Sequence, residues 1–136
     1  MNDGVARALH LIMPDDCIAN AKRPSAVAAG NVELSQRLTD VIFAALANAG
    51  NATIPASGQG TMNNVTLGAL GWTFYETLGG GQGASKRGPG PDAVHVGMSN
   101  TRNTPIESLE RAYPLRVVEY AVRRSSGGAG QPRGGD

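Results

Sequence analysis

Val32-Glu-Leu-Ser-Gln-Arg-Leu-Thr-Asp-Val-Ile-Phe-Ala-Ala-Leu-Ala-Asn48 is the most regular stretch of the 136-residue chain. Leu34, Leu38, Val41, Ile42, Ala45, Leu46 and the following Ala49 stand at offsets 0, 4, 7, 8, 11, 12 and 15. That spacing is one face of an α-helix. Asn31 is placed to cap the helix, Glu33 sits in the first turn where the helix dipole favours an anion, and Gly50 stands at the C′ position. The opposite face carries Ser35, Gln36, Arg37, Thr39 and Asp40.

Outward from this helix the pattern changes to short β-type runs. Ala6 to Met13 reads as a strand ended by Pro14 and the turn pair Asp15-Asp16. Ile54 to Asn64 is rich in small and amide residues and reads as an ordered loop. Val65 to Leu70 is a candidate strand. Gly71 to Leu78 is β-rich, with Trp72, Phe74 and Glu76 on one face and Thr73, Tyr75 and Thr77 on the other. Asp92 to Met98 is a further candidate strand. Thr104, Pro105 and Glu107 have the spacing of a capping box opening a short helix to about Ala112, and Leu115 to Arg124 reads as a last strand. The fold class expected is α+β: mixed strands, one long amphipathic helix, one short helix and glycine-rich loops.

Composition narrows the function classes. Hydrophobic residues make up 40% of the chain and charged residues 17%, while 19 Gly and 8 Pro take about a fifth. Six aromatic residues leave room only for a small core. Each ordered glycine costs extra entropy, so marginal stability is expected. The net charge of +1 and the lack of a polybasic run argue against a dedicated nucleic-acid binder. The longest apolar run, Val41 to Ala47, is far short of a membrane span, and the first residues lack the pattern of a secretory signal. The single Cys17 cannot make an internal disulfide. A cytoplasmic setting is expected.

Three residues carry acid–base chemistry by type. Asp92 and His95 form a D-x-x-H, a carboxylate and an imidazole that can share a proton or a metal, although on a strand this spacing sends them to opposite faces. Glu76 falls on the Trp72/Phe74 face, where an inward carboxylate can serve as a general acid or base; at a strand end it can equally reach water. The run Gly79-Gly-Gly-Gln-Gly83 suggests a phosphate loop, but no Lys-Ser/Thr opens a helix after it. The plainer reading is close backbone packing beside a pocket. His10 reads as structural and Cys17 as inert.

Six strings in order resemble one family. They are Ala26 to Glu33 with Ser35-Gln-Arg37, Ser57 to Asn64, Tyr75-Glu-Thr77 with Gly79 to Gly83, Met98 to Glu107, Tyr113-Pro-Leu-Arg116, and Ser126 to Gly130 with Arg133-Gly-Gly135. Together they resemble the hydantoinase B/oxoprolinase family, which includes the N-methylhydantoinase B subunit, the matching half of 5-oxoprolinase and the acetone carboxylase alpha subunit. The resemblance implies that residues 1–136 are an internal fragment of a larger domain, with 125–136 a flexible glycine-rich tail. It implies an ATP-dependent hydrolase of cyclic amides, tied to glutathione metabolism where the ring is 5-oxoproline. ATP is used by a hydantoinase A-type companion subunit or half, and any divalent metal is bound by regions absent from this chain. On this reading, His95, Asp92 and Glu76 are the catalytic candidates. Ser57, Gln59, Thr61, Asn63, Asn64, Asn100 and Asn103 supply directional donors to a small cyclic-amide substrate. No nucleic acid or membrane partner is implied. Gly97 departs from the family, standing where many relatives have a second histidine, and the stretch Lys86 to Pro91 is more basic and Pro-rich than the family leads one to expect. Two alternatives stand beside this reading: an acetone carboxylase alpha-like subunit, and a non-catalytic interaction module docking through Leu34, Leu38 and Ile42.

Overall fold

The computed structural model describes Gly4, Arg7, 10–129 and 134–136. Its regular elements, in chain order, are α1 (Gly30–Asn48), β1 (Asn64–Ala69), β2 (Trp72–Thr77) and α2 (Ile106–Ala112). This is a mixed α+β arrangement, as the sequence pattern suggests. The two strands form an antiparallel hairpin in which Val65 faces Glu76, Leu67 faces Phe74 and Ala69 faces Trp72. The hairpin is the only place where two regular elements run side by side among the described residues.

The long helix starts one residue before the expected cap. Ala29, with φ 57°, precedes it and no side chain caps it, so Asn31 lies inside the first turn. Its C-terminus follows the expected glycine stop. Gly50 has φ +95°, Gly50 N–H donates to Ala47 O at 3.0 Å, and Asn51 N–H donates to Leu46 O at 3.1 Å. These are the paired bonds of a Schellman motif, which a residue with a Cβ closes only under strain.

Which face of α1 turns inward is the main departure from the simple amphipathic picture. Ser35, Thr39 and Asp40 on the polar face are half-buried and Gln36 is 3% exposed. The apolar stripe looks outward: Leu38, Val41, Ile42 and Leu46 are 44%, 64%, 57% and 44% exposed. Periodicity locates a stripe but does not say what covers it.

Two expected strands are absent. In 92–98 the backbone turns, with Ala93 at φ 49° and Gly97 at φ 61°, and its polar groups bond to Gln36, Gly81 and Asp136 instead of to a ladder. In 115–124 Leu115 and Val117 remain half-buried between exposed neighbours, but among the described residues no strand runs beside them to take up a ladder. In the first expected strand, Arg7 stands in a turn and 10–13 is irregular, all of them exposed, His10 included; residues 6, 8 and 9 lie outside the described set. The short helix begins at Ile106 with Pro105 as its cap. Thr104 does not cap it: its N–H donates to the Glu76 carboxylate.

Buried apolar side chains are few. Phe74 at 6% and Leu109 at 8% exposure are the core residues among those described. The Tyr113 ring packs against Trp72 and Phe74, with centroids 5.7 and 5.4 Å apart. This cluster joins Tyr113, the residue that closes α2, to the hairpin. Beside the buried polar side chains of Gln36, Thr77 and Ser99, much of the rest of the interior is backbone against backbone. Ala56 N–H donates to Ala84 O, Gln82 N–H to Pro91 O, Gly135 N–H to Gln82 O and Ala93 N–H to Asp136 O. A Cβ on Gly83 would overlap Ala56 O, one on Gly90 would overlap Gln82 O, and one on Gly135 would overlap Pro91 O. Glycine is abundant here because the strata approach to peptide-contact distance. In the terminal stretch, the Asp136 carboxylate accepts Ser125 N–H at 2.9 Å and Gly127 N–H at 2.7 Å. Among the described residues, no helix is long and apolar enough to cross a membrane.

Candidate functional site

The inward polar face of α1 creates the site. Gln36 reaches the 96–99 turn, donating Nε2–H to Val96 O at 2.8 Å and accepting Met98 N–H on Oε1 at 2.9 Å. Ser99 Oγ closes the same turn on Val96 O at 3.1 Å. This clamp fixes the adjoining His95 against the helix. Thr39, Asp40 and Phe43 of α1 then share a cleft of about 430 Å³ with Ser57, Gln82 and His95. A second cleft of about 420 Å³ lies on the other side of Ser57, walled by Gln59, the glycine run 80–83 and the segment around Gly127 and Gly134.

His95 is the most distinctive group. Both ring nitrogens are buried and neither has a hydrogen-bond partner among the described residues. Buried polar atoms are nearly always paired, and an unpaired one costs about 1–3 kcal/mol. The imidazole is therefore held at a position where a partner group or a water would lower the energy.

The other candidates separate. Asp92 is exposed, and its Oδ1 accepts Asp136 N–H at 2.7 Å. Glu76 is half-buried and accepts Thr104 N–H, so it ties β2 to the approach of α2. Of the three acid–base candidates only His95 lines the cleft.

Much of the amide-rich loop is engaged internally. Gln59 donates to Thr61 O at 2.8 Å and accepts Gly80 N–H at 2.5 Å. Thr61 Oγ1 donates to Glu33 at 2.5 Å and also accepts Asn63 N–H at 3.2 Å. Asn63 O accepts Leu78 N–H, and Asn64 Oδ1 accepts Thr77 Oγ1–H at 2.6 Å. Asn103 donates to the Tyr120 hydroxyl, and Asn100 is exposed. Ser57 is the one member of this set that borders both clefts. Thr39, Asp40, Phe43 and Gln82 are among the cleft residues that sequence reading did not single out as site candidates. The polar face opposite the apolar stripe was the available signal for the first two.

Together the first cleft offers a hydroxyl, an amide, an imidazole and a carboxylate over the Phe43 ring. Hydroxyl and amide groups can hold a carbonyl oxygen, and an imidazole or carboxylate can orient and deprotonate a water. Phosphate is not catered for in the same way. The amides of Gly80, Gly81 and Gln82 donate to Gln59, Val94 and Pro91, and no helix opens between the glycine run and Ile106. Nor do three His, Cys, Asp or Glu side chains gather as a metal site among the described residues.

Known proteins supply the context for this cleft. The sequence matches the hydantoinase B/oxoprolinase family over residues 1–136. An uncharacterised protein of Methanocaldococcus jannaschii is 51% identical over 135 residues, 99% of this chain and 24% of that protein. A 5-oxoprolinase of Dictyostelium discoideum is 43% identical over 136 residues, all of this chain and 10% of that protein. A Pseudomonas protein named as the B-type component of a D-/L-hydantoinase is 31% identical over 144 residues, 98% of this chain and 23% of that protein. The chain thus spans a quarter or less of the length of these relatives. No solved structure matches it. With the match running from the first residue to the last, the chain belongs to the hydantoinase B/oxoprolinase family.

Proposed function

We propose that this chain forms part of the B-type portion of an ATP-dependent hydrolase that opens cyclic amides of the 5-oxoproline or hydantoin type. The observation that carries this reading is the family match over all 136 residues, with relatives named as a 5-oxoprolinase and as the B-type component of a hydantoinase. Ring opening adds water across the amide C–N bond: the oxygen goes to the carbonyl carbon and a proton to the departing nitrogen. ATP, bound on a hydantoinase A-type companion, would activate the amide oxygen, leaving as ADP and phosphate with a second water consumed. A divalent metal, where one is needed, belongs to parts of the B-type polypeptide beyond this chain. Within this chain, Ser57 and Gln82 hold the carbonyl side of the ring, Phe43 supports its face, and His95 moves the proton between water and the ring nitrogen. Asp40 orients the attacking water. The setting proposed is cytoplasmic, and 5-oxoproline as substrate would tie the reaction to glutathione metabolism.

The test is ATP-dependent opening of 5-oxoproline and of hydantoin by the chain alone, and by the chain with the A-type companion and the remaining B-type polypeptide. Turnover is expected only in the complete set, and His95→Ala should lower it about 100-fold. Turnover by the chain alone would remove the dependence on the other parts. If neither ring opens in the complete set, the cyclic-amide reading fails.

A further inference from the structure

The apolar stripe of α1 lies outside every packing contact described above. Leu38, Val41, Ile42 and Leu46 are all more than two-fifths exposed. With Leu34 at one end and Ala49 at the other, the stripe extends about 22 Å at 1.5 Å per residue. Near Leu34 it meets a groove of about 580 Å³ lined by Cys17, Ile18 and Val27, in which Ile18 is 80% and Val27 65% exposed. No ionisable side chain stands among the stripe positions themselves. Contiguous apolar surface of this kind marks an interaction face.

We infer that this face is an internal seam, covered by the remainder of a hydantoinase B/oxoprolinase-type polypeptide. Area decides between that occupant and a second copy of the chain. The accessible surface is 10544 Å², whereas a compact 14.0 kDa monomer exposes about 6,700 Å². The surplus is several times the roughly 800 Å² that one partner buries in an ordinary dimer. The exposed apolar residues are also spread along the chain: Ile12 at 85%, Leu70 at 102% and Val118 at 93% lie before α1, in the hairpin turn and after α2. A twofold contact covers one patch; surface distributed in this way calls for a larger body. The relatives carry such a body, since the matched region is only 24% of the Methanocaldococcus protein. The covering surface is itself apolar and uncharged where it meets Val41 and Ile42, because a charge buried there would find no counter-charge on the stripe.

The experiment mixes the purified chain with the separately purified Methanocaldococcus jannaschii polypeptide from which the matched segment, 24% of its length, has been deleted. Association is read by sedimentation and titration calorimetry. A one-to-one complex is expected. Ile42→Asp should weaken it about tenfold or more, through burial of an unpaired charge, with unchanged circular dichroism of the free chain. Lys86→Glu, on an exposed loop residue, should leave it intact. The inference is overturned by absence of a complex, by a complex indifferent to Ile42→Asp, or by a dimer of the chain alone that Ile42→Asp converts to monomer. None of these readouts depends on ring-opening activity.

Discussion

Gln36 bonds to a turn 60 residues further along the chain. Its amide supplies a donor to Val96 O and Ser99 Oγ and an acceptor to Met98 N–H. A buried amide that uses both ends in this way fixes position and orientation together. Gln36→Leu keeps the volume but leaves Met98 N–H without its acceptor, while Val96 O keeps the Ser99 donors. We expect a loss of about 1–3 kcal/mol, the cost of one orphaned buried group, read as a lower urea midpoint with unchanged slope. His95 and Ser57 can be found in the sequence because their residue types carry chemistry. Asp40 and Gln82 cannot be found by type alone: Asp40 enters the cleft because α1 turns its polar side inward, and Gln82 because the glycine run folds up to that side. Asp92 and Glu76 show the converse. Their types suggest catalysis, while their oxygens accept the N–H groups of Asp136 and Thr104.

At the scale of elements, helices and the hairpin are legible where local rules decide. The 3.6-residue period locates α1, and the alternation of Trp72, Phe74 and Glu76 identifies the inner face of β2. The glycine stop of α1 is equally local. Replacing Gly50 by Ala places a Cβ at φ +95° and should destabilise the helix end by about 1 kcal/mol, seen as a lower melting temperature by circular dichroism in the helical band. The expected strands at 92–98 and 115–124 fail for a reason that is not local. A strand is defined by its neighbour, and alternation such as Tyr113, Leu115 and Val117 records a buried side without naming the element that pairs with it. The direction of α1 is of the same kind: periodicity gives two faces, and only the surroundings say which is inside.

Over the whole molecule, the interior divides into a small aromatic cluster and a large body of peptide groups. The cluster is Phe74, Trp72 and Tyr113, with Leu109 buried on the neighbouring α2. The body is the set of glycine-spaced strata joined through Ala56, Gln82, Ala93 and Gly135. These two parts respond differently to heat. Exposing apolar surface raises the heat capacity of unfolding, whereas exposing peptide groups lowers it. Scanning calorimetry of the chain should therefore give a heat-capacity increment well below the usual value of about 12–15 cal/mol/K per residue, roughly half of it or less. An increment in the ordinary range would mean that unfolding exposes much more apolar surface than Phe74 and Leu109 indicate. With a small increment, the curve of stability against temperature is shallow. Cooling then neither strengthens nor weakens the glycine strata appreciably, and their low-temperature limit moves far below the freezing point of water.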